Sequence, residues 1–156
     1  MNTTTLPTAP LLKRLFALLY DLFILTALSF AYAALATLIM VNLFGTEDSG
    51  DYRPMQHGIW FQVGWLLTIV AFYWFFWRTA GQTVGMRAWR LKLVDQEGST
   101  PSHLQILTRI ALAPLSLGLA GLGYAWCLID KNRAAWHDLA SKTQVVETPK
   151  IEKKNK

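Results

Sequence analysis

The most regular feature of the chain is the placement of its apolar residues in long blocks without charge. Residues Leu22 to Val41 form a run of 20 uncharged positions, and Ile59 to Trp77 form a run of 19. At 1.5 Å per residue each run makes a helix of about 30 Å, the thickness of the hydrocarbon core of a bilayer. Aromatic residues at both ends of the second run are typical of anchoring at the headgroup level. The pattern predicts membrane-spanning helices over about 15–44 and 59–78.

A third apolar block, Leu104 to Ile129, contains Arg109 and is interrupted by Pro114 and by three glycines. As one helix kinked at the proline it would be about 39 Å long and would cross the bilayer. This interpretation places the basic C-terminal tail on the outer side. As a bent, re-entrant pair over 104–113 and 115–129, neither piece crosses alone and both ends stay cytoplasmic. The sequence leaves both interpretations open.

The polar segments between the blocks predict small elements at the membrane surface. Val84, Ala88 and Leu91 form an apolar stripe opposite basic residues, which is typical of a short interfacial helix. The stretch Leu91 to Val94 favours extended structure and enters a turn over 95–98. The predicted fold is therefore an all-α integral membrane protein, with two spanning helices, a third bent, re-entrant or spanning segment, and a short cytoplasmic interfacial helix and turn.

The two ends of the chain differ from the rest in composition. Residues 1–10 are polar and contain Pro7 and Pro10, which predicts a flexible lead-in. Residues 147–156 are rich in lysine and predict a basic, disordered tail. A membrane domain over residues 11–146 lies between them.

The distribution of charge predicts the topology. Only 16% of the residues are charged, against roughly 25% in soluble domains. Residues 45–57 contain three acidic residues and one arginine, whereas 78–102 and 130–156 have an excess of Lys and Arg. Since basic loops stay in the cytoplasm, we expect a multi-pass protein of a bacterial-type inner membrane, with a cytoplasmic N-terminus and the 45–57 loop outside. No aromatic platform accompanies the basic residues, so the expected partner is the lipid bilayer and not nucleic acid.

Three stretches of the chain resemble the RDD family, which is named for one arginine and two aspartates. They are Lys13 to Asp21, Gly81 to Asp95 and Trp136 to Val146, and they occur in this order around the apolar blocks. The resemblance extends over roughly 11–146. It implies an inner-membrane protein of undefined molecular function, for which transport of an unidentified ligand has been suggested.

The resemblance also implies which charged residues are the family's own. Arg14 matches the named arginine, Asp21 the first aspartate and Asp138 the second. The chain departs from the common pattern at Met86, where a basic residue is frequent, and at Trp136, where a glycine is frequent.

Arg14 and Asp21 lie seven residues apart, so on a helix they share one face at a separation of about 10.5 Å along the axis. A functional interpretation makes Asp21 a cation or proton site whose charge state Arg14 sets. A structural interpretation makes Arg14 a lipid-phosphate contact and Asp21 the cytoplasmic boundary of the first span. The residues alone favour the structural interpretation, and the resemblance to the RDD family makes the two equal.

Arg109 lies inside the third apolar block, where an unpaired arginine costs about 3 kcal/mol on insertion scales. It therefore needs an acidic partner or must reach the surface. Asp21 is the preferred partner, and Asp130 and Asp138 are the alternatives. The aspartates after the third block are expected to cap a helix or to pair with Arg14, Arg87 or Arg109, and the alternative is a solvated amphipathic turn.

The remaining basic residues near the predicted surface are expected to contact the interface or lipid phosphate. The three histidines lie in separate loops without ligand spacing, and no phosphate-binding motif is present, so neither a metal nor another cofactor is expected. The expected interfacial or lipid contacts are Arg87, Arg90, Lys92, Lys131 and Arg133.

The sequence predicts no enzyme, because no nucleophile, base and orienting group occur together at usable spacing. Two or three helices are too few to enclose a solute pathway, so transport of ions or a small solute would require a homo-oligomer or a larger membrane partner. The alternative is a non-catalytic scaffold or accessory protein that binds lipids or a partner through its basic cytoplasmic face.

Overall fold

The computed structural model describes residues 6–44, 58–119, 121–130 and 133–149. Helices dominate it, and two short strands pair with each other. In chain order the elements are α1 (Leu11–Phe44), α2 (Ile59–Thr79), α3 (Val84–Ala88), β1 (Leu91–Asp95), α4 (His103–Gly118), α5 (Leu122–Ala125), a 3-10 turn (Trp126–Leu128), α6 (Trp136–Ser141) and β2 (Thr143–Glu147).

Helices α1 and α2 confirm the prediction of two helices that are long and apolar enough to cross a membrane. They have 34 and 21 residues, and no residue of the most apolar stretch of either helix is buried. The chain divides into two compact units, one formed by residues 22–72 and the other by the described residues up to Asp21 together with those from Tyr73 onward.

In the unit formed by residues 22–72, polar side chains join the two long helices. The Tyr32 hydroxyl donates a hydrogen bond of 2.9 Å to the Phe61 carbonyl oxygen, and the Trp65 indole N–H donates one of 2.9 Å to the Ser29 hydroxyl. Gly64 lies against the Tyr32 ring, where a Cβ would meet the ring carbon Cζ at 3.2 Å. Close approach at a small residue is a common packing device between membrane helices.

The second unit contains a sheet, so the expectation of a purely α-helical fold is wrong. Strands β1 and β2 pair in antiparallel register, with Leu93 opposite Val145. Along β1, Leu91, Leu93 and Val94 are buried, whereas Lys92 and Asp95 are partly exposed. The predicted extended stretch at 91–94 is thus β1, whereas its partner β2 was not anticipated.

The described ends of the chain attach to this sheet. Thr8 forms a bridge with Val146, the Ala9 N–H donates to the Val145 carbonyl oxygen at 2.8 Å, and the Thr148 N–H donates to the Arg90 carbonyl oxygen at 2.8 Å. The predictions of a flexible lead-in over 1–10 and a disordered tail over 147–156 are therefore wrong for these residues, because the unpaired edge of β2 binds one end and the β1 side binds the other. Residues 1–5 and 150–156 lie outside the described residues.

Small and aromatic side chains from both long helices meet the sheet in one hydrophobic core. The sheet, α3 and α4 also contribute buried side chains to this core. The buried members are Ala9, Ala17, Trp77, Met86, Leu91, Leu93, Ile106 and Val145.

The third apolar block begins as α4, which starts at a capping box. The Ser102 hydroxyl accepts from the Gln105 N–H, and the Gln105 side chain accepts from the Ser102 N–H. Pro114 lies inside α4, so the predicted break at this proline is wrong. The break follows Gly118 instead, and the next helical segment is bent by 104° relative to α4. Gly121, at φ 74°, supplies the left-handed backbone there that a side chain would disfavour.

Candidate functional site: a buried ion cluster and a buried carboxylate

Asp138 binds two arginines from two other helices. Arg14, near the start of α1, donates from Nη1 to Asp138 Oδ2 at 2.6 Å, and Arg109 of α4 donates from Nη1 to Asp138 Oδ1. The exposed fractions are 1% for Asp138, 6% for Arg14 and 5% for Arg109. We call these three residues the ion cluster. It joins α1, α4 and α6 with charge-assisted hydrogen bonds, which are roughly twice as strong as neutral ones.

Backbone and hydroxyl groups complete the ion cluster. The Ala135 N–H donates to Asp138 Oδ2 at 2.9 Å, so this carboxylate also caps the first turn of α6. Arg14 donates from Nε to the Ala9 carbonyl oxygen and from Nη2 to the Arg133 carbonyl oxygen. Arg109 donates a second bond, of 2.9 Å, to the Thr143 hydroxyl at the start of β2. Through these bonds the ion cluster also contacts the segment before α1, at Ala9, and the sheet, at Thr143.

The surroundings of Asp138 keep it ionised. Burial alone would raise the pKa of its carboxyl, but the guanidinium groups of Arg109 and Arg14 and the Ala135 N–H hold that pKa below its usual range. A carboxylate held in this way does not exchange a proton near neutral pH. Asp138 therefore acts as a fixed charge between two cations.

His137 is neutral beside the ion cluster. Burial and the nearby Arg109 and Arg14 lower its pKa to about 3, although Asp138 opposes this. Its ring lies 4.6 Å from the Tyr124 ring, and its Nδ1 has no hydrogen-bond partner within the part of the chain that the structure describes.

Arg109 has Asp138 as its partner, so the preference for Asp21 is wrong and one of the stated alternatives holds. Its guanidinium carbon also lies 5.4 Å from the centre of the Trp77 ring, a cation–π contact. Because the short helix α6 packs against α4, it brings Asp138 to Arg109. Arg109 is thus paired inside the protein and does not reach the surface.

Asp21 forms a second, separate site with the start of α3. Its Oδ1 accepts from the Gly85 N–H at 2.9 Å, and its Oδ2 lies 2.5 Å from the Thr83 hydroxyl oxygen. The carboxylate is 3% exposed. Thr83 is the N-cap of α3 and accepts from the Met86 N–H at 3.2 Å. The expected influence of Arg14 on Asp21 has no direct contact to support it among the described residues, since Arg14 binds Asp138.

The other predicted site residues take different positions. Asp130 accepts from the Ala134 N–H at 2.9 Å, a local turn contact. Among the expected lipid contacts, Arg87 and Arg133 are exposed, Lys92 is half-buried, and Arg90 lies 3.6 Å from Glu147. Lys131 and the 45–57 loop lie outside the described residues.

Several residues of these two sites were not expected from the sequence. Thr83, Gly85, Thr143 and Ala135 have no role assigned by the sequence analysis. Their signal was present in the family stretches, because Thr83, Gly85 and Thr143 all fall within them. A turn that binds a distant carboxylate through a hydroxyl and an N–H looks, in sequence, like any other Gly-containing turn.

The fold and the two sites define a class: a mostly helical protein with two helices long and apolar enough to span a membrane and with buried arginine–aspartate pairing. The chain belongs to the RDD family, whose family model matches residues 8–142. The match includes all members of the ion cluster and Asp21. Neither the curated proteins nor the solved structures include a match to this chain.

Proposed function

We propose that this RDD family protein is one subunit of an oligomeric membrane transporter for ions or a small solute, and not an enzyme. The observation that carries the proposal is the burial of Asp21 near the start of the first apolar span, with neutral hydrogen-bond donors around it. An ionisable residue within a membrane helix is expensive and usually serves an ion or proton pathway.

The contacts of Asp21 suit a group that gains and loses a proton. A hydroxyl has one donor and two acceptor positions, and Thr83 uses one acceptor position for the Met86 N–H. Thr83 can therefore donate to Asp21 when the carboxylate is ionised and accept from it when the carboxyl is protonated. No Lys, Arg or His among the described residues forms an ion pair with Asp21 that would fix its charge. The ion cluster, by contrast, holds Asp138 ionised, so Asp138 is not part of the proposed proton pathway.

The flux prediction compares two aspartates with similar contacts. In proteoliposomes with an internal pH dye, the wild-type protein is expected to couple a sodium or potassium gradient to proton movement. Asp21→Asn is expected to reduce this flux to the level of empty vesicles, because the amide cannot exchange a proton. The control is Asp95→Asn: Asp95 accepts two hydrogen bonds, as Asp21 does, but both come from backbone N–H groups, those of Glu97 and Ser99, and Asp95 lies at the end of β1. Normal flux in Asp21→Asn would exclude Asp21 from the pathway.

The assembly and membrane location form part of the same proposal. Two spans, or three if the bent pair α4–α5 is one span, are too few to enclose a pathway, so we propose a homo-oligomer or a larger membrane partner. The exposed apolar surface of α1 and α2 is available to lipid or to another subunit. We place the protein in a bacterial-type inner membrane, because its basic segments flank the spans as the positive-inside rule requires.

Cysteine labelling tests the topology. In a Cys127→Ala background, Gly50→Cys is expected to react with a membrane-impermeant maleimide in intact spheroplasts. Gln96→Cys and Lys150→Cys are expected to react only after permeabilisation, because both positions are assigned to the cytoplasmic side. Labelling of position 96 from outside would reverse the orientation, and labelling of position 150 alone would indicate that the third apolar block crosses.

A non-catalytic scaffold is the second candidate, and one observation favours it. The ion cluster joins the start of α1, α4, α6 and the sheet through buried, charge-assisted hydrogen bonds, as a platform for a partner would require. The flux experiment separates the two candidates: a wild-type protein that is folded in vesicles but carries no flux with either cation favours the scaffold.

A further inference from the structure

A cleft of about 520 Å³ opens above the ion cluster. This volume lies in the range of small-molecule sites. Arg14, Asp138 and Thr143 belong to its lining, and the exposed Arg133 belongs to it as well. The remaining lining residues are Pro7, Thr8, Gln96, Ala134, Leu139 and Gln144.

The charge of the cleft is positive. Its lining contains two arginines and one carboxylate, and Arg109 also neutralises that carboxylate from outside the lining. The Asp138 carboxylate is fully enclosed by its partners, with a side-chain exposure of 0%, so it presents little negative charge to an incoming ligand. Gln96, Gln144 and Thr8 add neutral polar groups. An anion fits this set, since guanidinium groups bind oxyanions through directed N–H donors.

We infer that this cleft binds a phosphate group, with Arg133 as the accessible cation and Arg14 as the cation at its base. Arg14 lies eight residues before the first long apolar run, which is about 12 Å along a helix and places it close to the headgroup layer. Lipid phosphates and water-soluble phosphates both reach this level. The inference does not depend on transport, because the cleft and Asp21 share no residue.

Arg133 and Arg90 provide a matched pair of variants. Both are exposed arginines with left-handed backbone, at φ 54° and 55°, but only Arg133 lines the cleft. Removing either therefore changes the net charge and the local backbone preference in the same way. Arg133→Gln is expected to weaken binding about tenfold or more, as for the loss of a hydrogen bond to a charged group, whereas Arg90→Gln is expected to leave it unchanged.

A gain-of-binding variant covers the case in which Arg133→Gln disturbs the loop. Gln96 lies in the turn after β1 and is exposed in the cleft lining, so Gln96→Lys is expected to tighten binding. Thr100→Lys adds the same charge nearby on an exposed residue outside the lining and is expected to have no effect.

The test measures the thermal shift of the detergent-purified protein during titration with inorganic phosphate and, separately, with short-chain phosphatidylglycerol. A saturable shift that Arg133→Gln weakens and Gln96→Lys strengthens supports the inference. Stronger binding of the lipid identifies a headgroup site, and stronger binding of inorganic phosphate identifies a site for a soluble phosphate compound. No saturable shift with either probe, or equal losses in Arg133→Gln and Arg90→Gln, would overturn it.

Discussion

Asp138→Asn is expected to destabilise the protein by about 3–5 kcal/mol, the usual cost of breaking a buried ion pair from one side. The substitution keeps the size of the side chain but removes its charge. Two guanidinium groups, each about 5% exposed, then remain buried against a neutral amide. Urea unfolding in detergent, followed by tryptophan fluorescence, measures the loss in free energy of unfolding.

The control is the same change, from a carboxylate to an amide, in an ion pair at the protein surface. Glu147 lies 2.5 Å from the Lys13 ammonium, and both side chains are partly exposed. Glu147→Gln is therefore expected to cost at most about 1 kcal/mol. In an Arg109→Met background, Asp138→Asn is expected to cost less than in the wild type, because only one guanidinium is left unpaired. Equal costs for Asp138→Asn and Glu147→Gln would show that the ion cluster does not hold the helices together.

The long helices could be predicted because the absence of charge over about 20 positions is a local property of the sequence. The sheet could not be predicted from the sequence. Strand β2 has only five residues, and its partner β1 lies about fifty positions earlier, so no local signal joins them. The structure at Thr8 and Ala9 could not be predicted for the same reason, because these residues pair with the edge of β2.

For the ion cluster, too, one part could be predicted from the sequence and another part could not. The cost of an unpaired Arg109 in an apolar block predicts an acidic partner, and this part needed only the sequence. The choice between Asp21, Asp130 and Asp138 depends on how α6 packs against α4, which spacing along the chain does not encode. Asp130 and Asp138 both follow the third block, yet one binds a neighbouring N–H and the other binds two distant arginines.

Gly85→Ala is expected to cost about 3 kcal/mol, near the upper end of the usual range for overpacking a well-packed site. In a helix without such contacts the same change stabilises, because alanine has less backbone freedom to lose. Here an added Cβ would collide with the Ala17 carbonyl oxygen and would lie 2.9 Å from Asp21 Oδ1. Since the Ala17 oxygen belongs to the backbone of α1, no side-chain movement relieves the contact, and α3 must move away.

Gly118→Ala is the matched control for this prediction. Gly118 ends α4, and an added Cβ there has no atom within 4 Å. We expect it to leave the free energy of unfolding unchanged or to raise it by about 0.5–1 kcal/mol. The movement of α3 in Gly85→Ala also lengthens the bond from the Gly85 N–H to Asp21, so the proposed flux is expected to fall with stability in that variant but not in Gly118→Ala. A Gly85→Ala protein as stable as the wild type would mean that α3 is not pressed against α1, and the proposed hydrogen-bonded site around Asp21 would lose its support.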